Sequence, residues 1–536
     1  MRADSIRMRL IFYIFSLIIF GTAWYLYSIG SETAAYWTAG LYLPLFAVGL
    51  HDVWQKQHAI LRNYPIVGHG RYIMEALRPK VYQYFIESDT DGEPIDRIHR
   101  AVVYQRAKKD RDTSPFGTQL RLYDEGYEWM NHSIGAKDLH DLDTDPRVRI
   151  GGLDCRQPYD CSIFNISAMS YGSLGSAAIR ALNGGAYIGK FAHNTGEGGV
   201  SPHHKEFGGD LIYQVGTGYF GCRTEDGKFH PEKFRELSAL PQIKMIELKL
   251  SQGAKPGHGG ILPAKKNTQE IADIRGIEPG TAVLSPPAHT AFDSPVGLLK
   301  FIEKMRELSG GKPIGFKLCI GHKSEFLSIC QAMLETGISP DFISVDGGEG
   351  GTGAAPLEFS DRVGMPYREA LAFVHDVLRG YDLRDRITMI ASGKILSGFD
   401  VFRAFALGAD ACYSARGMML ALGCIQSLRC NRNDCPVGVA TVDEARQRGL
   451  VVSDKKKRVA NYHHETVESF LELVAAAGLS GPSEIRRHML YRRTSLNNIR
   501  RYSEIYPSYS KGCLLDSATI PEAMQPEMQY IRTDRF

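Results

Sequence analysis

The sequence predicts an α/β protein built on a (β/α)8 TIM barrel, and three observations carry that prediction. From residue 161 onward, short β-branched or apolar runs alternate with loops rich in glycine and polar residues and then with helical stretches. Eight such runs fall within roughly 250 residues, the count and length a TIM barrel requires. Each run is followed closely by its polar loop, so the chemistry is gathered at one end, as in a barrel enzyme whose site lies at the C-terminal rim.

The elements follow in order. Residues 10–29 are an almost uncharged apolar run about as long as a bilayer-spanning helix needs. A second run, residues 36–50, is shorter and carries Pro44, and reads as the weaker span. Glu32 sits between them with no Lys or Arg; Arg2, Arg7 and Arg9 precede the pair, and Lys56, Arg62, Arg71, Arg78 and Lys80 follow it. The positive-inside rule then predicts a transmembrane hairpin over 1–53 with both ends cytoplasmic. A cleaved signal peptide is the alternative for the first run, but no clear small-residue cleavage site follows it. Residues 54–150 lack a clear period and read as a linker and partly helical cap. The barrel is assigned to 151–453, with strands at 163–167, 187–191, 244–250, 282–285, 314–318, 342–345, 387–391 and 411–413. Residues 454–536 read as a small C-terminal helical appendage, with Lys455-Lys456-Lys457-Arg458 as a solvated face and a helix over 466–478.

Composition narrows the function classes. Net charge is +3, which gives no broad electrostatic case for nucleic acid. The 10 cysteines show no disulfide-like framework, which suits a reducing compartment. Gly348-x-Gly350-x-x-Gly353 matches a dinucleotide-binding pattern, but no acidic residue ends a following strand, so a Rossmann reading fails. The sharpest local signal is Cys424-x5-Cys430-x4-Cys435-Pro436. Clustered thiolates closed by Cys-Pro are a recurrent feature of iron–sulfur segments, and three ligands suit a three-iron cluster. A zinc site completed by a distant ligand, or three unrelated buried thiols, fits the spacing as well.

Several motifs in one order resemble the synthase domain of glutamate synthase, in particular stand-alone, membrane-anchored FMN-binding glutamate synthase family proteins. They are Ser167-Ala168-Met169-Ser170-Tyr171-Gly172; Asn194-Thr195-Gly196-Glu197-Gly198-Gly199; Lys249-Leu250-Ser251-Gln252-Gly253-Ala254-Lys255-Pro256-Gly257; Ser285-Pro286-Pro287; Gly350-Gly351-Thr352-Gly353-Ala354; and the cysteine segment through Cys435-Pro436-Val437-Gly438. The resemblance covers roughly residues 150–480. It implies FMN and a [3Fe–4S] cluster on Cys424, Cys430 and Cys435. It also implies Lys249, Gln252, Lys255 and Arg275 as ligands of 2-oxoglutarate, with Glu197 and Lys255 the catalytic candidates. For FMN it points to Ser167, Ala168, Met169 and Ser170 against the ring, and Lys317 near the edge where negative charge accumulates on reduction. Gly351, Thr352 and Gly353 join the cofactor loops, and Gly393, Lys394, Ala415, Arg416 and Gly417 lie where a barrel holds phosphate. His289, His203 and His204 are weaker candidates.

The implied reaction is reductive amination: ammonia and 2-oxoglutarate form an imine, and hydride from reduced FMN gives L-glutamate. Electrons are expected from an external donor such as ferredoxin or a reductase subunit, and nitrogen from ammonia or a separate amidotransferase. The sequence departs from the family at Ile261-Leu262-Pro263, where the family has Gln-Leu-Pro. It departs also at His258, where the family has Glu, and at Ala288-His289-Thr290-Ala291 after Pro287. Two other readings fit the same residues: a flavoenzyme with the same cofactors acting on another keto or amino acid, and a non-catalytic redox relay of a membrane complex.

Overall fold

The computed structural model describes residues 2–110 and 113–536, with side chains from residue 8 onward; the side chains of Arg2 and Arg7, counted above toward topology, lie outside the described residues. The chain forms two compact units, Met1–Arg97 and Ile98–Phe536. In the first, α1 (Arg2–Ser28) and α2 (Glu32–Trp54) run antiparallel. Phe12 stacks on Phe46 at one end and Tyr27 meets Tyr36 at the other. Ser16 Oγ and Tyr42 Oη share a hydrogen bond of 2.8 Å between them. Gly49 is required at the crossing, because a Cβ there would lie 2.3 Å from the Phe12 ring. The second helix exceeds the sequence expectation: it runs through Pro44 for 23 residues. Proline removes one intrahelical hydrogen bond, and the rest of the ladder carries the helix on. Met8–Ser28 and Glu32–Trp54 are both long and apolar enough to cross a membrane. Leu10, Ile14, Leu17, Leu41 and Leu43 point outward from the pair. The helix α3 (His69–Val81) follows, and Ile73, Met74, Leu77 and Val81 are exposed along it.

The second unit contains a closed barrel of parallel strands in consecutive order. They are β1 (Phe164–Ile166), β2 (His193–Asn194), β3 (Leu211–Val215), β4 (Ile243–Lys249), β5 (Ile314–Leu318), β6 (Phe342–Asp346), β7 (Thr388–Ser392) and β8 (Ala411–Ser414). The fold class is as the sequence predicts, but two strands are not where it put them. Residues 187–191 are the end of the helix α4 (Ser176–Gly189) and its exit, with Lys190 left-handed at φ 54° as the cap. The second strand is His193–Asn194 instead. Residues 282–285 are not in the barrel: Val283–Leu284 pairs antiparallel with Ile261–Leu262. The third strand, Leu211–Val215, lies in a stretch the sequence reading left unassigned. Short apolar runs do not by themselves separate strand from helix end.

The barrel interior is layered. At the N-terminal end Ala192, Ile212, Met245, Phe342, Ile390 and Ala411 form an apolar layer, closed from below by Ile150, Tyr159 and Cys161 of an antiparallel hairpin. One step up, the layer turns polar: Glu247, fully buried, accepts from Asn194 Nδ2 at 2.8 Å, Gln214 Nε2 at 2.6 Å and Ser344 Oγ at 2.6 Å. The strand ends above it carry Lys249, Lys317 and Asp346. This alternation follows from the two-residue period of a strand. It places charge at the rim and nowhere deeper without a full set of partners.

Helices cover the barrel. Among them α5 (Gln269–Arg275) follows β4, α6 (Gly398–Ala406) follows β7, and α7 (Val452–Ala476) closes the ring by packing against α4 and α6. The Lys455–Arg458 run therefore lies within a barrel helix; Arg458 pairs with Asp454 at 2.9 Å and Lys456 Nζ sits 4.3 Å from the centroid of the Phe207 ring. Beyond it, Leu490–Ser495 and Asn498–Arg501 join Glu128–Met130 in a three-stranded sheet. There the buried Glu128 carboxylate accepts from Tyr502 at 2.7 Å and pairs with Arg403 at 2.9 Å and Arg368 at 2.5 Å.

Candidate active site

Lys249 ends β4 and is in register with Lys317 on β5, so two lysines emerge side by side at the rim. Both side chains are buried, and each has a carboxylate. Lys249 Nζ is 3.0 Å from Glu197 Oε1, and Lys317 Nζ is 3.8 Å from Asp346 Oδ2. Asp346 also accepts from the Gly253 backbone N–H at 2.8 Å, which pins the loop after β4 to the end of β6. Gly253 allows the approach: a Cβ there would lie 1.7 Å from the Gly347 carbonyl oxygen.

Glu197 sits at the centre. Burial pushes its carboxyl up, but Lys249, with Arg275 and Lys255, outweighs that and holds it below the ordinary range. It is enclosed by glycines: a Cβ on Gly260 would fall 2.4 Å from its Oε1, and one on Gly216 would fall 2.8 Å from its Cβ. Lys255 is buried, and its Nζ donates to Ala354 O at 2.7 Å. Burial pulls its ammonium down to about 8, against the opposing pull of Glu197. Arg275 ends α5 just before Gly276, left-handed at φ 65°, and is 4% exposed. Its Nη2 donates to Tyr171 O at 3.0 Å, its Cζ lies 5.0 Å from the Phe220 ring centroid, and its buried Nε has no hydrogen-bond partner. Burial lowers its guanidinium to about 10. Lys249, Lys255 and Arg275 thus surround one carboxylate, with a donor left over. Gln252 lies in the same loop, its carbonyl accepting from Lys255 N at 3.3 Å.

Ser167 follows β1 and its N–H donates to Ser414 O at 3.1 Å; Ala168, Met169 and Ser170 continue onto the rim. Lys394, after Gly393 at the end of β7, is left-handed at φ 50°. Arg416, between Ala415 and Gly417 after β8, donates from Nη2 to Glu349 O at 2.6 Å. Gly351 is at this arginine, 3.2 Å from its Cδ by the position of a Cβ, and Thr352 and Gly353 continue the loop. His203 and His204 are not at the clamp: they lie in the short helix Pro202–Lys205, where the buried His204 Nδ1 faces Ser201 Oγ at 2.8 Å.

The three cysteines are free thiols, Cys435 buried and the others half-buried. Burial pushes Cys424 up to about 12 and raises Cys430, each with added repulsion from the neighbouring thiols. Gln426, Leu428 and Asn433 hold left-handed backbone, φ 53°, 54° and 60°. Strain of this kind, at about 1–3 kcal/mol per residue, clusters at binding and catalytic sites. Among the described residues, His464, Glu465 and Glu468 are the group whose ligand atoms all lie within 4.8 Å of one another. The three cysteines are not part of that group.

Residues 123–480 match the conserved region in glutamate synthase. A relative from Bacillus subtilis, the glutamate synthase large subunit-like protein YerD, is 38% identical over 491 residues, covering 84% of this chain and 93% of that protein. The chain belongs to the glutamate synthase family. It is an oxidoreductase of the glutamate synthase type. It is also 35% identical over 322 residues to an archaeal-type glutamate synthase (NADPH) of Thermotoga neapolitana, a match that takes in 60% of each chain. Among solved structures, the flavin-binding domain of baker's yeast flavocytochrome b2 aligns over 80% of this chain and 86% of its own, at 13% identity and a TM-score of 0.42.

Three residues of this glutamate synthase family site escaped the sequence reading. Asp346 was read as part of a glycine loop, yet it answers Lys317. Glu247 was hidden inside an apolar run and fixes the layer beneath the clamp. Tyr219 orients His289: its Oη is 3.1 Å from His289 Nδ1, while His289 Nε2 lies 2.9 Å from the Lys249 carbonyl. A carbonyl only accepts, so Nε2 carries the proton and Nδ1 accepts from Tyr219. Burial lowers this imidazole to about 4, so it is neutral at physiological pH. Of the departures from the family pattern, Ile261 lies in the small antiparallel pair and His258 packs edge-on against Phe359.

Proposed function

We propose that this glutamate synthase-like enzyme converts 2-oxoglutarate and ammonia to L-glutamate, using FMN, a [3Fe–4S] cluster and an external electron donor. The observation that carries the proposal is the set of three buried cations, Lys249, Lys255 and Arg275, around the single carboxylate of Glu197. Their summed charge calls for a further anion, and a dicarboxylate supplies it. Arg275 offers a forked contact through its unpartnered Nε. An arriving carboxylate competes with Glu197 for Lys249, and Glu197, once released, is placed to orient the proton of an imine nitrogen. Neutral His289 keeps the Lys249 strand end in place through its carbonyl.

The rim suits a flavin. Lys317 is a buried cation at a strand end, and Lys394 and Arg416 bring two more to the loops after β7 and β8. Ser167 to Ser170 would face the ring, and Gly351 to Gly353 with Gly393, Lys394, Ala415, Arg416 and Gly417 would hold the phosphate end. Bound there, FMN would supply the hydride that turns the imine into an amine. The strained loop and the donor set of Cys424, Cys430 and Cys435 suit an iron–sulfur cluster, whose chemistry is one-electron transfer. The two apolar helices support a membrane anchor, and the basic residues flanking the pair favour the catalytic unit on the cytoplasmic side.

Lys255 gives the site a pH dependence. Its ammonium, near 8 in the free enzyme, completes the clamp below that pH and loses its charge above it. The Kd for 2-oxoglutarate, read from perturbation of the flavin spectrum, should therefore be flat to about pH 8 and rise beyond it, toward tenfold per unit. In Lys255→Met the rise should vanish. The reaction itself is tested by supplying 15N-ammonium, 2-oxoglutarate and a chemical reductant. Labelled glutamate is the expected product, and its absence from protein that retains flavin and iron would remove the proposal.

A further inference from the structure

Lys266 ends the short helical turn Ala264–Lys266, two residues ahead of Thr268, the N-cap of α5. Its side chain is 2% exposed. The ammonium donates to Ser173 O at 2.8 Å and to Ala440 O at 3.0 Å, and it pairs with no carboxylate among the described residues. A buried ammonium satisfied only by neutral carbonyls keeps its charge at a cost unless an anion lies near.

What lies near is the cysteine segment. Ala440 is five residues beyond Cys435. Ser173 is at its edge: a Cβ on Gly353 would be 3.4 Å from Ser173 Oγ and 3.9 Å from Cys430 Cβ. Asn433 Nδ2, between Cys430 and Cys435, donates to Lys265 O at 3.3 Å. The acidic groups whose charge acts on the ammonium are the thiols of Cys430 and Cys435.

We propose that Lys266 is the buried counter-ion of the iron–sulfur cluster on Cys424, Cys430 and Cys435, a positioning residue that sets the cluster's reduction potential. The inference rests on the cluster reading above. Three thiolates and the cluster are together anionic, and one electron from a one-electron donor protein adds one more negative charge with no bond made or broken. A fixed cation in a low-dielectric site stabilises the reduced form over the oxidised one and raises the potential. This eases delivery of electrons into the cluster without touching the substrate clamp.

The test is an EPR-monitored redox titration of the full-length protein. Lys266→Met should keep iron but lower the reduced-to-oxidised ratio at a fixed potential at least tenfold, a shift of about 59 mV for a one-electron couple. Lys266→Arg should stay near wild type, as should Lys265→Met, which removes an exposed charge one residue away. An unchanged midpoint in Lys266→Met with iron retained would overturn the role of Lys266 and leave the cluster reading intact. Wild-type protein without iron would overturn both. If Lys266→Met loses iron, Lys266→Gln carries the same titration. Loss in Met and Gln with retention in Arg supports the charge role, whereas loss in all three marks Lys266 as a packing residue and overturns it.

Discussion

Arg275→Leu should raise the KM for 2-oxoglutarate by at least about 30-fold while leaving FMN content unchanged. Losing one partner of a buried, charge-assisted pair costs about 2–5 kcal/mol, and about 2 kcal/mol corresponds to that factor. Arg275 is buried at the end of α5, fixed by Tyr171 O and the Phe220 ring, so its guanidinium needs no reordering when substrate arrives. Leucine keeps the packing on Phe220 and deletes the fork. Of Arg275 and Lys255, Arg275 keeps its charge over the wider pH range, because burial leaves it at about 10 whereas Lys255 falls to about 8. The KM effect should therefore persist from pH 6.5 to 9. A variant with wild-type KM would place the substrate carboxylates elsewhere.

Cys430→Ser should reduce bound iron by about an order of magnitude or more and abolish turnover driven by a protein electron donor, while chemically reduced flavin still reacts. A serine hydroxyl is a poor substitute for a thiolate on iron, and two remaining ligands do not hold a cluster that needs three. The fold should survive, because Cys430 lies on a loop outside the barrel's apolar layer of Ile212, Met245, Phe342 and Ile390. Thermal unfolding close to that of iron-depleted wild type, with iron lost, is the expected pair of results. Retention of iron by Cys430→Ser would exclude this cysteine as a ligand.

The barrel was legible because its loops are more distinctive than its strands. The stretches after 167, 249, 345 and 391 carry glycine, charge and serine in patterns that a core has no use for. The strands themselves were less so. His193–Asn194 is two polar residues long, since Asn194 faces the Glu247 network and leaves no apolar run to find. Leu211–Val215 is fully buried and follows closely on Gly208-Gly209-Asp210, while residues 187–191, with Tyr187, Ile188 and Phe191, imitate a strand although they are the less apolar run and belong to a helix end. In the site, Lys249, Lys255, Arg275 and Glu197 were nameable from motifs. Asp346, Glu247, Tyr219 and Lys266 were not, because their meaning lies in partners from other elements of the barrel, 33 to 174 residues away in the chain: Gly253, Gln214, His289 and Ala440. Only the closed barrel brings those partners together.

Reoxidation of the reduced flavin by substrate tests the central claim most directly. Anaerobic full-length protein, reduced chemically and mixed in a stopped-flow instrument with 2-oxoglutarate and ammonium, should regain its oxidised flavin spectrum at a rate that saturates with 2-oxoglutarate and yields one glutamate per flavin reoxidised. Glutamine in place of ammonium should support no such reaction unless a separate amidotransferase is added. Protein that holds flavin and iron in full but stays reduced with 2-oxoglutarate and ammonium would contradict the account, and would move the assignment to another keto acid at the same clamp.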